Sequence, residues 1–142
     1  MRSLLDVNVL IALFDPDHTS HTAAYGWFEA NAREGWASCP LTQNGFIRVV
    51  SQPRYANPLP VDMIAHRLRQ AAMHARHEFW PDGVSLLDEG LIDTTRIHGP
   101  KQLTDIYLLA LAVTKGGRLV TFDRSIPLDA VKGAQKKHLV VI

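Results

Sequence analysis

Residues 103–123 read LTDIYLLALAVTKGGRLVTFD, and this stretch decides the fold. The apolar run after Thr104 predicts a helix over 104–114, broken by Gly116-Gly117. Residues 118–122 then read as a strand of the buried type. Asp105 falls in the first turn of that helix, and Asp123 follows the strand.

Working outward, Leu4, Leu5, Val7 and the run 9–13 form a near-continuous apolar opening interrupted only by Asp6 and Asn8. That pattern predicts a short buried strand feeding a helix, with Asp6 at the junction. Asp15-Pro16-Asp17 is a turn, and Thr19 or Ser20 caps a helix to about Arg33, ended by Gly35. Residues 36–39 predict a second strand. Thr42 caps a helix that Pro53 stops, and the Pro-rich loop 53–60 leads to a helix over 61–75. Segments 78–80 and 84–87 read as strand and irregular chain, 91–101 as a loop, and 139–142 as a last strand. Short apolar strands alternating with helices indicate an α/β fold: a central, mostly parallel sheet with helices on both faces, in one domain over 1–142. In such sheets ligands gather beyond the carboxyl ends of the strands, where strand order reverses.

Composition agrees. With 142 residues and 46% of them hydrophobic, the chain can bury a core as one domain. Fifteen Lys and Arg against fourteen Asp and Glu exclude an acidic disordered chain and a strongly basic nucleic-acid coat protein. The balance is uneven along the chain: residues 1–95 carry a net −4 and residues 96–142 a net +5, so the second stretch could attract a polyanion or simply be solvated surface. The single cysteine, Cys39, excludes an internal disulfide framework and a multi-thiolate zinc site. No apolar run approaches the roughly 20 residues that span a bilayer, so a soluble cytoplasmic protein without a membrane partner is expected.

The chemistry is expected where Asp6, Asp105 and Asp123 converge. Side by side, three carboxylates raise one another's pKa, so their convergence implies a cation that keeps them ionised. Oxygen ligands alone suit Mg2+ or Mn2+. Taken singly, each acid also has an ordinary reading: a helix-start residue for Asp105, turn or loop residues for Asp6 and Asp123. Asn8 either orients a carboxylate or caps the first helix, and Thr121 either supports the site by hydrogen bonding or is buried strand packing. His18/His21 and His74/His77 have i, i+3 spacing but suggest no third soft ligand for zinc. Asp82 in FWPDG reads as a turn residue and is left out of the site. Tyr25 and Tyr55 read as core or partner contacts, with base stacking the alternative.

The segments LLDVNVLIAL (4–13), CPLTQNGFIRVVS (39–51), FWPDG (79–83) and LTDIYLLALAVTKGGRLVTFD (103–123) together resemble a PIN domain. More narrowly, they are similar to the VapC-type toxins of bacterial toxin-antitoxin modules. The resemblance implies a Mg2+- or Mn2+-dependent endoribonuclease in which a metal ion polarises the scissile phosphate and activates a water for in-line attack. Asp6, Asp105 and Asp123 match three of the family's acidic positions as metal ligands. The family's remaining Glu, in the helix after the second strand, falls on Gln43, or on Asn44 if the register slips by one. An amide there should hold the cation more weakly, as an outer or weak ligand. Arg124, Lys115 and Arg118, with Lys136 and Lys137, are the candidates for holding the RNA backbone. The resemblance also implies a homodimer and a VapB-like antitoxin, expected on the helix pair within 42–75 and able to offer an Arg to the acids. Two alternatives remain at this point. Gln43 suits a weakened or inactive domain that only binds RNA or antitoxin, and an aspartyl phosphoryl intermediate on Asp6 lacks its usual second acid, since Asn8 stands there.

Overall fold

A computed structural model describes residues 1–74 and 76–142. Five strands, β1 (Ser3–Leu5), β2 (Trp36–Ser38), β3 (His77–Phe79), β4 (Arg118–Thr121) and β5 (Leu139–Val141), form one sheet in the order β3-β2-β1-β4-β5. Every neighbouring pair is parallel. The helices are α1 (Val7–Phe14), α2 (His21–Asn31), α3 (Pro40–Val50), α4 (Val61–Ala72) and α5 (Leu103–Thr114). Strand order reverses at β1, which has β2 on one side and β4 on the other, so the crevice for a ligand opens beyond the carboxyl ends of β1 and β4.

The period of two along each strand divides the core between the two faces. Leu4, Ala37 and Leu119 pack with Ile106, Leu109 and the rest of the α5 face. Leu5, Trp36 and Val120 pack with Val9, Leu10, Phe46, Ile64 and Leu68 from α1, α3 and α4. No helix among the described residues is long and apolar enough to cross a membrane.

Several expected boundaries move for physical reasons. The helix expected to start at Thr42 starts at Pro40, whose fixed φ suits a first turn. Thr42 instead serves from the third position, where its hydroxyl accepts from the Cys39 N–H at 3.0 Å and donates to the Cys39 carbonyl at 3.1 Å. The expected Ser20 cap makes no side-chain bond, and the helix after it tightens into a 3-10 turn, Ala32–Glu34, before Gly35 at φ 79°. The expected end of the 61–75 helix at residue 75 lies outside the described residues. The strand expected over 78–80 is His77–Phe79, residues 84–87 form no strand, and the 91–101 loop contains the 3-10 turns Thr94–Arg96 and Pro100–Gln102. On the helix pair within 42–75, Val61, Met63 and Met73 leave apolar side chains exposed. Phe46 and Val50 of α3 are buried, and an apolar groove of about 370 Å³ lies between α2 and α4, lined by Leu13, Phe14, Tyr25, Phe28 and Ala71.

The double glycine after α5 has two separate causes. Gly116 adopts φ 67°, and the Gly116 and Gly117 amides bond back to Val113 and Ala112 in a Schellman turn. At Gly117 the constraint is space: a Cβ would lie 2.6 Å from the Arg2 carbonyl oxygen and 2.6 Å from the Trp80 ring. Gly117→Ala should therefore lower the unfolding free energy by about 1–3 kcal/mol. Urea denaturation checks this, and an unmoved midpoint contradicts it.

Candidate active site

Asp6 is the residue at which β1 becomes α1. Its N–H donates to the Val120 carbonyl at 3.0 Å, continuing the sheet, and its own carbonyl accepts from the Leu10 N–H at 2.9 Å, opening the helix. This double duty fixes the side chain, which is only 6% exposed. Oδ1 accepts from the Val7 N–H and Oδ2 from the Thr121 hydroxyl, each at 2.7 Å. Thr121 is the wholly buried last residue of β4, and its Oγ1 also accepts from the Asp123 N–H at 3.1 Å. One hydroxyl thus ties together the chain segments bearing two of the acids, and the supporting role weighed for Thr121 is the one it plays.

Beyond Thr121, the chain turns so that Ser125 donates to Asp123 Oδ1 twice, from its N–H at 2.7 Å and its hydroxyl at 2.6 Å. Asp105, in the first turn of α5, faces both other acids. Burial pushes its carboxyl up to about 7, and the charges of Asp6 and Asp123 add to the rise. Burial also raises Asp6, against the pull of its Thr121 and Val7 hydrogen bonds, and Asp123 adds to that rise. Asp123 moves the other way, because the Ser125 hydrogen bonds hold its carboxyl below the ordinary carboxylate range. The five ion pairs among the described residues include none of these three acids.

These residues fit a hard divalent cation. The donor set is all oxygen, the carboxylates of Asp6, Asp105 and Asp123, which is the chemistry Mg2+ and Mn2+ take and not that of a Cys/His zinc cage. Two side-chain oxygens among the described residues are buried with no partner, Asn8 Oδ1 and the Tyr107 hydroxyl, and each belongs to the second residue after a site acid. Asp6, not Asn8, holds the cap position of α1. Burial, with the Asp82 charge adding to it, pushes the Tyr107 hydroxyl up to about 12.

Gln43 is drawn elsewhere. Its Nε2 donates to Ser38 Oγ at 2.9 Å, and Ser38 Oγ lies 2.8 Å from His77 Nε2. Ser38 is wholly buried on the sheet face of Trp36 and Leu5, and its hydroxyl requires partners there. Asp6 and Thr121 fall on the opposite face. Asn44 is exposed, and the α3 residue against the Asp6–Val7 corner is Gly45, where a Cβ would lie 2.7 Å from Val7 Cγ2.

The basic candidates separate by sheet edge. Arg124 is exposed directly after Asp123. Lys115 caps the far end of α5, ten residues and roughly 15 Å along the helix from Asp105. Arg118, expected on RNA, begins β4 at the amino edge of the sheet. It donates to Ser3 Oγ at 2.9 Å and Asn31 Oδ1 at 3.1 Å, and lies 5.3 Å from the Trp27 ring centroid. It is a structural strut there. Lys136 and Lys137, just ahead of the parallel strand β5, share that amino edge. Position in the sheet settles this, and sequence order does not display it. Lys101 is exposed two residues ahead of α5, and Ser125 and Gln102, which the sequence reading does not single out, hold the loop that carries Asp123. The Asp-x-Ser spacing is a usable signal for Ser125, but nothing local marks Gln102. The histidine pairs are engaged locally: His18 Nδ1 accepts from Ser20, His21 bonds the Ala12 carbonyl, and His74 Nδ1 accepts from Arg76.

The PIN domain profile matches residues 3–132. The chain is 55% identical over 142 residues, all of both chains, to Ribonuclease VapC44 of Mycobacterium tuberculosis. It is 40% identical over 135 residues to Ribonuclease VapC39 of the same species, covering 94% of this chain and 96% of that one. Ribonuclease VapC38 is 44% identical over 126 residues, covering 87% and 86%. The crystal structure of VapBC2 from Rickettsia felis, bound to a DNA fragment from its promoter, superposes with a TM-score of 0.57 at 16% identity. That match covers 100% of this chain and 98% of the other, and shows a shared fold.

The raised Asp105 carboxyl has a sign that can be tested. Between its ordinary value of 3.8 and about 7, the folded chain binds a proton that the unfolded chain has released, so stability falls as pH rises through that window. In metal-free protein, the melting temperature of wild type relative to Asp105→Asn should be higher at pH 5 than at pH 8. Equal slopes for the two proteins in a pH series of thermal melts contradict it.

Proposed function

The chain belongs to the PIN domain family, and from that premise we propose that it is the endoribonuclease toxin of a VapBC-type toxin-antitoxin module, hydrolysing RNA phosphodiester bonds with Mg2+ or Mn2+. The observation that supports this reading is the Thr121 hydroxyl tying Asp6, after β1, to Asp123, after β4, at the switch point of the sheet. The ribonuclease names of relatives up to 55% identical point the same way.

Asp6 and Asp105 would be the primary ligands and Asp123 a direct or water-mediated one. A bound divalent ion would polarise the scissile phosphate and acidify an attacking water. Asp6 is held in one rotamer by Val7 and Thr121, and Asp123 by Ser125, so little ordering is left to be done when substrate arrives. Arg124 and Lys101 would bind backbone phosphates at the acid edge. Gln43 has its Nε2 on Ser38 and would set the entry of α3, giving at most an outer contact through its oxygen.

A VapB-like antitoxin would fill the apolar groove between α2 and α4 and could extend an Arg to the acids. We place the protein in the cytoplasm as a homodimer. The second reading, a weakened domain that binds RNA or antitoxin without cutting, is favoured by one observation: α3 brings an amide and a glycine to this region where an acid is usual.

Purified protein incubated with cellular RNA and Mn2+ should cleave it, and Asp6→Asn or Asp105→Asn should reduce the rate by more than about 100-fold, the upper end of what losing a mere outer-shell partner costs. Equal cleavage by wild type and both variants would mark a contaminant. No cleavage by wild type, with RNA binding retained, would favour the second reading.

A further inference from the structure

We propose that Gln102 is a positioning residue that sets the separation of Asp105 and Asp123; this rests on the metal-site reading above. Gln102 immediately precedes α5, one turn before Asp105. Its amide is engaged at both ends: Oε1 accepts from the His98 N–H at 3.0 Å, and Nε2 donates to the Ser125 carbonyl at 3.1 Å. Ser125 in turn holds Asp123 Oδ1 through its N–H and its hydroxyl. A closed circuit therefore runs from Asp105 through the first turn of α5 to Gln102, across to Ser125 and back to Asp123.

Two ionised carboxylates at the ends of this circuit repel, so the link between their segments has a force to oppose. The Gln102 amide links these segments through the Ser125 carbonyl, two residues from Asp123. The same two loops are joined farther away by Arg96, which pairs with Asp93 at 3.2 Å and Asp129 at 2.8 Å. A Gln102 that served only loop stability would be interchangeable with that pair. A Gln102 that fixes the ligand spacing would not be.

The test measures Mn2+ affinity from the paramagnetic resonance signal of free Mn2+ in wild type, Gln102→Ala, Gln102→Met and Arg96→Ala, with folding checked by circular dichroism. Gln102→Met keeps the side chain's length without its hydrogen bonds, so it retains the test if the alanine variant folds poorly. Both Gln102 variants should bind Mn2+ about 10- to 100-fold more weakly, the usual cost of losing an outer-shell partner. Arg96→Ala should stay within about twofold of wild type, since it leaves the Gln102–Ser125–Asp123 path intact. In RNA cleavage, the Gln102 variants should need correspondingly more Mn2+ for half-maximal rate, with little change in KM for RNA. Wild-type Mn2+ affinity in the Gln102 variants overturns the proposal, as does equal weakening by Arg96→Ala. If wild type itself binds no Mn2+, the metal-site reading fails and this proposal fails with it.

Discussion

The Thr121 hydroxyl donates to Asp6 Oδ2 and accepts from the Asp123 N–H, and the rest of the site is arranged around those two bonds. They work because the fold delivers Thr121 and Asp6 side by side: β1 and β4 run parallel in register, Leu4 opposite Leu119 and Leu5 opposite Val120, so the next residues on each strand meet. A one-residue slip would turn Thr121 to the other face and leave a buried carboxylate without its hydroxyl, at a cost of about 1–3 kcal/mol for that group alone. Register, core packing and the acid pocket are therefore one constraint, satisfied together.

Against that rigid frame the pocket works at a loss. Asp105 is pushed up to about 7 by burial and by two like-charged neighbours, and the five ion pairs of the described residues lie elsewhere. An arrangement that disfavours the ionised acids at neutral pH is expected where function, not stability, selects the residues. At the amino edge of the sheet the charges are paired instead, with Arg118 reaching Ser3, Asn31 and Glu34.

Much of this was legible in the sequence. The parallel α/β order, the double glycine and the three acids at strand ends or a helix start all rest on local signals: apolar runs, a helix stop, and acids at junctions. What was not legible depends on which edge or face a residue reaches. Arg118 reads as a free cation beside Asp123 until the strand between them places it at the opposite edge. Gln43 donates its amide N–H to the buried Ser38 hydroxyl, a partner that no local signal in the sequence marks. Thr42 was assigned the cap that it serves from inside the helix, because Pro40 and Cys39 open the turn earlier. Gln102 carries no local mark, since its partner lies 23 residues away.

Anomalous diffraction from crystals grown with Mn2+ shows whether acids from three separate elements hold one divalent ion. A single strong peak is expected, bonded to oxygens of Asp6 and Asp105, with Asp123 ligating it directly or through a water. A peak at other carboxylates, such as the Asp15–Asp17 turn, with density for the three acids unchanged, would contradict it.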